Sequence, residues 1–315
     1  MRNKLGTILS ATETRVVLAL LALLALVDIG LRLTDSRLSG NLAHVEEIPE
    51  IVGAAGQPDR KALLVLGNSL TNNGVAPEVV SARLPNVSLA KITPDATGLW
   101  DWQCLLDHQV VERSDVQFDT LVLGFAWHLL SDQSRVDASR LGALYCQMGD
   151  LGRASHIGLH NSGDIGEFLA AKVLRTYALR DTLRNRLFQV GVPSYIEFTQ
   201  TTNAAGAGAG AAEKSAQATE AVKYTYETFT ALLNRLKSKG TRVIVVAMPV
   251  RQDYELDSQL ISLHDRGALE VVDLRKLPGI GPTHYLDGMH LNPTGQQILS
   301  RALADHLAAE LLSAT

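Results

Sequence analysis

The stretch ALLVLGNSLT, residues 62–71, decides the fold of this chain. Its first five residues are all apolar, and a glycine ends the run. A short, uninterrupted apolar run is typical of a central strand in a parallel sheet, because helices cover both faces of such a strand. The residues after the strand then lie at the carboxyl edge of the sheet, where α/β folds place their functional sites. We therefore expect Ser69 at that edge.

Four further apolar segments, at residues 87–92, 120–123, 241–247 and 269–274, are predicted as strands. A helix is predicted at 228–239, since Gly240 is a favoured residue just beyond a helix end. Another is predicted at 293–312, with Asn292 as its N-cap and Pro293 as its first residue. This alternation predicts an α/β domain over residues 61–315.

A second motif lies near the C-terminus, at Asp287-Gly288-Met289-His290. A serine hydroxyl is a poor nucleophile at neutral pH and needs an imidazole to take its proton and a carboxylate to orient that imidazole. Asp287 and His290 are three residues apart, so one turn can bring the carboxylate to one ring nitrogen while the other faces Ser69. Together with Ser69, the motif predicts acyl-ester chemistry.

These residues resemble those of a known family. Residues 64–71 (LVLGNSLT) resemble the first sequence block of SGNH (GDSL-like) hydrolases, and residues 287–292 with Gly295 resemble the last block. The resemblance implies a three-layer α/β/α sandwich with a five-stranded, flavodoxin-like parallel sheet. It also implies that Ser69 is the nucleophile, His290 the general base and Asp287 its orienting acid. An α/β-hydrolase fits less well, because Thr71 stands where the nucleophile elbow of that fold has glycine.

The middle blocks of the family match less closely. Its oxyanion hole implies three donors: the N–H of Ser69, a glycine N–H, here assigned to Gly98, and an asparagine side chain. After the strand at 120–123 the family has Gly-Xaa-Asn-Asp, but this chain has the sequence GFAWH at residues 124–128. Losing one oxyanion donor costs roughly 2.7–4 kcal/mol of transition-state stabilisation, which predicts slow turnover. One hypothesis is that Trp127 or His128 replaces the missing donor.

Five residues near these motifs are candidates for a substrate pocket: Asn68, Trp100, Trp127, His128 and His284. Aromatic residues beside an oxyanion loop suit stacking on a sugar ring, although tryptophans more often belong to the core.

Composition excludes some functions. The chain has 315 residues, a formal net charge of −4 and 46% hydrophobic residues, and it lacks a basic tail, so we expect no nucleic-acid partner. Cys104 and Cys146 lack metal-like spacing and are either one disulfide or two free thiols. No cofactor is predicted.

A metal site is not predicted either. His156, His160 and Asp164 share helical spacing, but Gly158 interrupts the helix and no glutamate stands at a catalytic-zinc spacing.

The N-terminus predicts a membrane anchor. Basic residues precede an apolar run at 16–27, and Asp28 follows it. Residues 1–33 are therefore interpreted as a cytoplasmic tail and signal-anchor helix, residues 34–60 as a polar stalk, and the catalytic domain as periplasmic. A cleaved signal peptide and a buried helix are the alternatives. The run is shorter than the roughly 20 residues of an ideal span.

A long insertion, residues 131–223, separates the third and fourth predicted strands. Its middle, 165–189, is predicted as a basic helix and its end, 203–212, as a flexible Ala/Gly-rich loop. The basic side chains form either a solvated helix face or a surface for anionic lipid or acidic polysaccharide. The insertion as a whole is interpreted as a lid or docking surface.

The combination favours O-acetyl transfer to, or removal from, a cell-surface or exopolysaccharide, beside a membrane-bound O-acyltransferase, as the resemblance implies. A non-catalytic accessory that binds glycan or the acyltransferase is the alternative. A lipase or thioesterase is the further alternative.

Overall fold

The computed structural model describes residues 11–57, 61–191 and 223–313. One sheet of five parallel strands forms its centre, with spatial order β2-β1-β3-β4-β5. The strands are β1 (Ala62–Leu66), β2 (Ser88–Ile92), β3 (Thr120–Phe125), β4 (Arg242–Ala247) and β5 (Glu270–Asp273). All five predicted strands are confirmed, and their order is that of flavodoxin-like folds.

Helices connect the strands and precede the sheet. They are α1 (Ala11–Thr34), α2 (Gly40–Ala55), α3 (Ser69–Gly74), α4 (Pro77–Arg83), α5 (Leu99–Leu106), α6 (Ala138–Arg140), α7 (Ser162–Val173), α8 (Arg175–Ala178), α9 (Arg180–Gly191), α10 (Glu227–Ser238), α11 (Ser258–Asp265) and α12 (Pro293–Ser313). The predicted helices at 228–239 and 293–312 are confirmed as α10 and α12. Gly240 has a φ of 82°, a left-handed conformation that glycine adopts without strain, and it ends α10 as predicted.

Both faces of the sheet are covered, which is why its strands are apolar throughout. Alternate strand residues, such as Leu64 and Val245, join the core under α2, α5, α10 and α11. The intervening residues, such as Val65 and Ile244, pack under α4 and α12. The fold is therefore the three-layer α/β/α sandwich that the sequence resemblance implied, and the uninterrupted apolar strands are those expected of a sheet covered on both faces.

The segment predicted as a polar stalk has a different structure. Residues 40–55 form α2, and Ile48, Val52 and Ala55 are buried in the core on one face of the sheet. The acidic residues of this segment, Glu46, Glu47 and Glu50, lie on α2, whose apolar residues at a spacing of three to four form its buried face. The part of the predicted stalk that forms α2 therefore packs on the sheet.

The insertion is helical where it is described. The predicted basic helix is divided into α7, α8 and α9. The insertion is covalently joined to the sandwich, because its Cys146 forms a disulfide with Cys104 of α5. The predicted flexible loop at 203–212 lies outside the described residues.

Candidate active site

Ser69 is the first residue of α3, directly after β1 and the turn at Gly67 and Asn68. The buried Asn68 side chain shapes this turn: its Oδ1 accepts from Leu70 N at 3.0 Å, and its Nδ2 donates to Thr97 O at 3.1 Å. Asn68 was a candidate for the substrate pocket, but both ends of its amide are engaged in the protein. It is a helix cap that positions the serine.

Close packing under the serine explains two glycines. A Cβ on Gly67 would lie 2.0 Å from Thr71 Oγ1, and one on Gly124 would lie 2.2 Å from the same atom. The buried Thr71 side chain therefore fills the space between the ends of β1 and β3. Neither glycine can carry a side chain unless Thr71 moves.

The loop that carries Asp287 and His290 is closed at its base. Tyr285 and Leu291 form an antiparallel bridge, and Leu286 N donates to His290 O at 2.8 Å. Asn292 Oδ1 accepts from Gly295 N at 3.0 Å, so Asn292 caps α12 as predicted. The start of α12 thus fixes the position of the loop.

Ser69, His290 and Asp287 form a hydrogen-bonded chain. Ser69 Oγ lies 2.9 Å from His290 Nε2, and His290 Nδ1 lies 2.8 Å from Asp287 Oδ2. With the proton on Nδ1, the imidazole donates to the carboxylate and leaves Nε2 free to accept from the serine hydroxyl. The three predicted residues are brought together across 221 positions of sequence, in the arrangement that activates a serine.

Asp287 is held as a carboxylate. Partial burial would raise its pKa, but hydrogen bonds from the His290 ring and from the backbone N–H groups of His290 and Met289 hold the pKa below its ordinary value. The two backbone bonds reach Oδ1 at 2.8 and 2.7 Å and leave Oδ2 for the ring. The Asp287 side chain is 53% exposed and that of His290 21%, so the site opens to solvent.

The structure does not support Gly98 as an oxyanion donor. Gly98 N donates to Asp101 Oδ2 at 3.0 Å, in a capping arrangement at the start of α5. Asp101 is 1% exposed and forms a bidentate pair with Arg140 at 2.9 and 2.8 Å. The Gly98 N–H is therefore already engaged, and the insertion supplies the arginine that holds its acceptor.

The Ser69 N–H is better placed. It lies in the first turn of α3, where backbone N–H groups have no partner within the helix. It is the predicted oxyanion donor that remains available.

The loop after β3 replaces the missing asparagine with an apolar surface. Ala126, at the position of that asparagine, is 0% exposed and packs with Leu70 and Val250, against which Trp127 and Tyr254 also pack. Trp127 has a φ of 50°, a strained conformation for a bulky residue that is found mainly at functional sites. The partly exposed Trp127 therefore lies next to the nucleophile helix, and its role as a donor stays a prediction.

His128 is turned toward another neighbour. Its ring stacks on Tyr224 with 3.5 Å between centroids, and its Nδ1 is buried without a hydrogen-bond partner among the described residues. Burial lowers the pKa of His128, which favours the neutral ring. His128 joins the loop after β3 to the end of the insertion.

Two other pocket candidates have structural roles. Trp100 is 2% exposed, and its indole N–H donates to Ser134 O at 3.1 Å, so the prediction that it stacks on a sugar is wrong. His284 Nδ1 accepts from Gly281 N at 3.1 Å and stabilises the turn before the Asp287 loop. The indole N–H of Trp100 and the Nδ1 of His284 are therefore both engaged within the protein.

Possible metal ligands in the described part of the chain have other partners. His160 packs edge-on against Trp100, and Asp164 accepts from Asn161. The carboxylates of Glu270 and Glu310 do lie close to His306, but the guanidinium of Arg242 pairs with each of them at 2.6 Å. Positive charge is thus already supplied there.

Sequence reasoning missed the buried pair of Asp101 and Arg140. Asp101 stands three residues after Gly98, the spacing of a residue that bonds back to a helix N-cap, and this spacing could have indicated that the glycine N–H is engaged. No local pattern predicted Arg140 as its partner, because the pair joins residues 39 positions apart.

Comparison with known proteins gives distant structural matches. No protein-family model matches the sequence, and no curated protein is similar to it. Among solved structures, the protein YxiM from Bacillus subtilis is similar at 12% identity and a TM-score of 0.37, over 80% of this chain. This chain spans 57% of the length of that protein. The family resemblance of the two sequence motifs therefore stays a prediction, and the site rests on its own geometry.

Proposed function

We propose that this protein is a serine-dependent enzyme that cleaves or transfers acyl esters. The observation that carries the proposal is the hydrogen-bonded chain from Ser69 Oγ through His290 to Asp287 at the carboxyl edge of the sheet. A structural role alone gives no reason to align a hydroxyl, an imidazole and a carboxylate at 2.9 and 2.8 Å in an open site.

The reaction follows from this geometry. Ser69 Oγ attacks the carbonyl carbon of the ester while His290 Nε2 takes the hydroxyl proton, which it then gives to the departing alcohol oxygen. The product is an acyl-enzyme on Ser69. A second hydroxyl, from water or from a sugar, gives its proton to His290 and attacks the same carbon. The bond from that carbon to Ser69 Oγ then breaks, and His290 returns the proton to Ser69 Oγ. Asp287 keeps the imidazole in the required tautomer throughout.

Oxyanion stabilisation sets the expected rate. The Ser69 N–H is available, whereas the Gly98 N–H is bonded to Asp101 and the Ala126 side chain offers no donor. Each missing donor costs about 10²–10³-fold in kcat, and two of the three expected donors are missing, so we expect slow turnover of a simple ester even if Trp127 contributes its indole N–H.

The expected substrate is an O-acetyl group on a cell-surface polysaccharide or exopolysaccharide outside the cytoplasmic membrane. The apolar helix at Thr12–Arg37 is long enough to cross a membrane, which supports a single-pass anchor. The disulfide between Cys104 and Cys146 is typical of an oxidising compartment such as the periplasm. A membrane-bound O-acyltransferase is the proposed partner, on the strength of the sequence resemblance.

Two alternatives have an observation in their favour. The engaged Gly98 N–H and the alanine at position 126 favour an accessory protein that binds glycan or the acyltransferase without turnover. Leu286 and Met289, which are 65% and 37% exposed on the Asp287 loop, favour an apolar acyl chain and hence a lipase or thioesterase.

The test is acetate release from an acetyl ester by the full-length protein in detergent, with Ser69→Ala as the inactive variant. Ser238→Ala is the matched control, because Ser238 is exposed and its hydroxyl donates within α10. Activity lost only with Ser69→Ala supports the proposal. Equal background in all three proteins, with and without an added sugar acceptor, contradicts it and favours the accessory protein. A preference for decanoyl over acetyl esters favours the lipase.

A further inference from the structure

The end of the apolar helix α1 is docked on the insertion. Asp28 Oδ1 accepts from Thr176 N at 2.8 Å and from Thr176 Oγ1 at 3.1 Å. One turn later, Arg32 donates to Val173 O at 2.6 Å. Asp35, just beyond α1, pairs with Arg175. Hydrogen bonds from the junction of α7 and α8 thus engage α1 over two turns.

The adjacent side of α1 stays apolar at the same level. Ile29 is 55% exposed and Leu33 is 76% exposed, although each lies one residue beyond Asp28 and Arg32. Successive residues of an α-helix point about 100° apart, so α1 has a polar side on the insertion and a bare apolar side next to it. Nothing in the described part of the chain covers these two side chains.

Helix length shows how far the apolar side must enter a bilayer. The run from Val16 to Val27 has 11 steps and spans only about 17 Å, whereas the hydrocarbon core is about 30 Å thick. Continuing to Leu33 adds six steps, or about 9 Å, and brings the span close to that thickness. The level at which Asp28 and Arg32 meet the insertion must therefore lie at or inside the membrane boundary.

The polar groups at this level are compatible with such a position. Asp28 is 7% exposed and bonds with Arg32 as well as with Thr176, so its charge is paired and shielded. Val173, the residue at the corner of α7 and α8, is apolar and 63% exposed. An apolar corner beside a shielded carboxylate suits the boundary between head groups and acyl chains.

We propose that the junction of α7 and α8, residues 173–176, inserts into the outer boundary of the bilayer and extends the membrane contact of α1 beyond its uninterrupted apolar run. The partner is the lipid bilayer itself, contacted by Val173 together with Ile29 and Leu33. The contact between the insertion and the bilayer then fixes the height and tilt of the sheet above the membrane, and with them the position of Ser69. This inference rests on α1 as an anchor and is independent of catalysis.

The experiment uses single cysteines in the full-length protein reconstituted in liposomes. Both native cysteines form the disulfide, so an introduced thiol is the only one available to a bimane label. Val173→Cys is the test position and Leu33→Cys reports on α1. Asp305→Cys is the control, since its side chain is 63% exposed on α12, across the sheet from α2. Lipids that carry a shallow doxyl quencher are then added.

The inference predicts loss of most of the bimane fluorescence at positions 173 and 33, and no change at 305. Quenching at position 33 without quenching at position 173 overturns the insertion of residues 173–176 into the bilayer, while α1 remains an anchor. No quenching at either position overturns both. Circular dichroism of each labelled protein checks that the exposed substitutions leave the fold intact. None of these outcomes depends on esterase activity, so a failure here is distinct from a failure of the proposed function.

Discussion

Asp287→Asn tests the site most directly, because it changes one atom and keeps the shape of the loop. The carboxylate Oδ1 accepts from Met289 N and His290 N, and an amide oxygen can accept the same two bonds. The amide nitrogen then faces His290 Nδ1, where Asp287 Oδ2 now lies at 2.8 Å. As a donor, it forces the ring proton from Nδ1 to Nε2. Nε2 can then no longer accept from Ser69.

The magnitude follows from the tautomer. An imidazole held in the wrong tautomer loses about 10⁴-fold in kcat in serine triads, which corresponds to about 5.5 kcal/mol of transition-state stabilisation. The effect on folding is small in comparison. Asp287 is 53% exposed, and an exposed ion pair contributes about 0–1 kcal/mol. Activity should therefore fall far more than stability.

The assay is ester hydrolysis by wild type, Asp287→Asn and Asp305→Asn, with thermal unfolding measured in parallel. Asp305 is the matched control: it is also exposed, at 63%, and forms an ion pair with Arg83 at 2.9 Å. We expect kcat to collapse only for Asp287→Asn. If that variant keeps activity within about tenfold of wild type while Ser69→Ala is inactive, Asp287 does not orient the base and the proposed triad is wrong.

Three further predictions concern stability. Reduction of the bond between Cys104 and Cys146, which are 42 positions apart, should lower the free energy of unfolding in urea by about 4 kcal/mol, and an unchanged midpoint would contradict this. Gly124→Ala should destabilise the protein by about 1–3 kcal/mol in thermal melts and Thr71→Ala should relieve part of that loss, whereas strictly additive effects would show that the two residues do not compete for space. The folded-state pKa of Asp287 is lowered, so the hydrogen bonds of its carboxylate stabilise the protein above the ordinary pKa of an aspartate, about 3.9, and this stabilisation is lost as the pH falls. The difference in free energy of unfolding between wild type and Asp287→Asn should therefore narrow below pH of about 4. A difference that stays constant with pH would argue against this.

The sequence by itself determined the sheet and the three residues of the proposed triad. A strand covered on both faces must be apolar at every position, so β1 and β3 were visible as uninterrupted runs. Residues just after such strands lie at one edge of the sheet, which placed Ser69. Asp287 and His290 were found because their contact is local and lies within one turn.

The tertiary structure alone decided which backbone groups remain free and what each helix packs against. The Gly98 N–H is engaged because Arg140, from a distant insertion, holds Asp101 beside it. Residues 34–60 were predicted as a stalk because of their acidic residues. Residues 40–55 instead form a helix with a narrow apolar face, and that face is buried only because it packs against the sheet. Hydrogen bonds and burial between remote segments depend on how the elements pack, and a local pattern of residues contains no record of that packing.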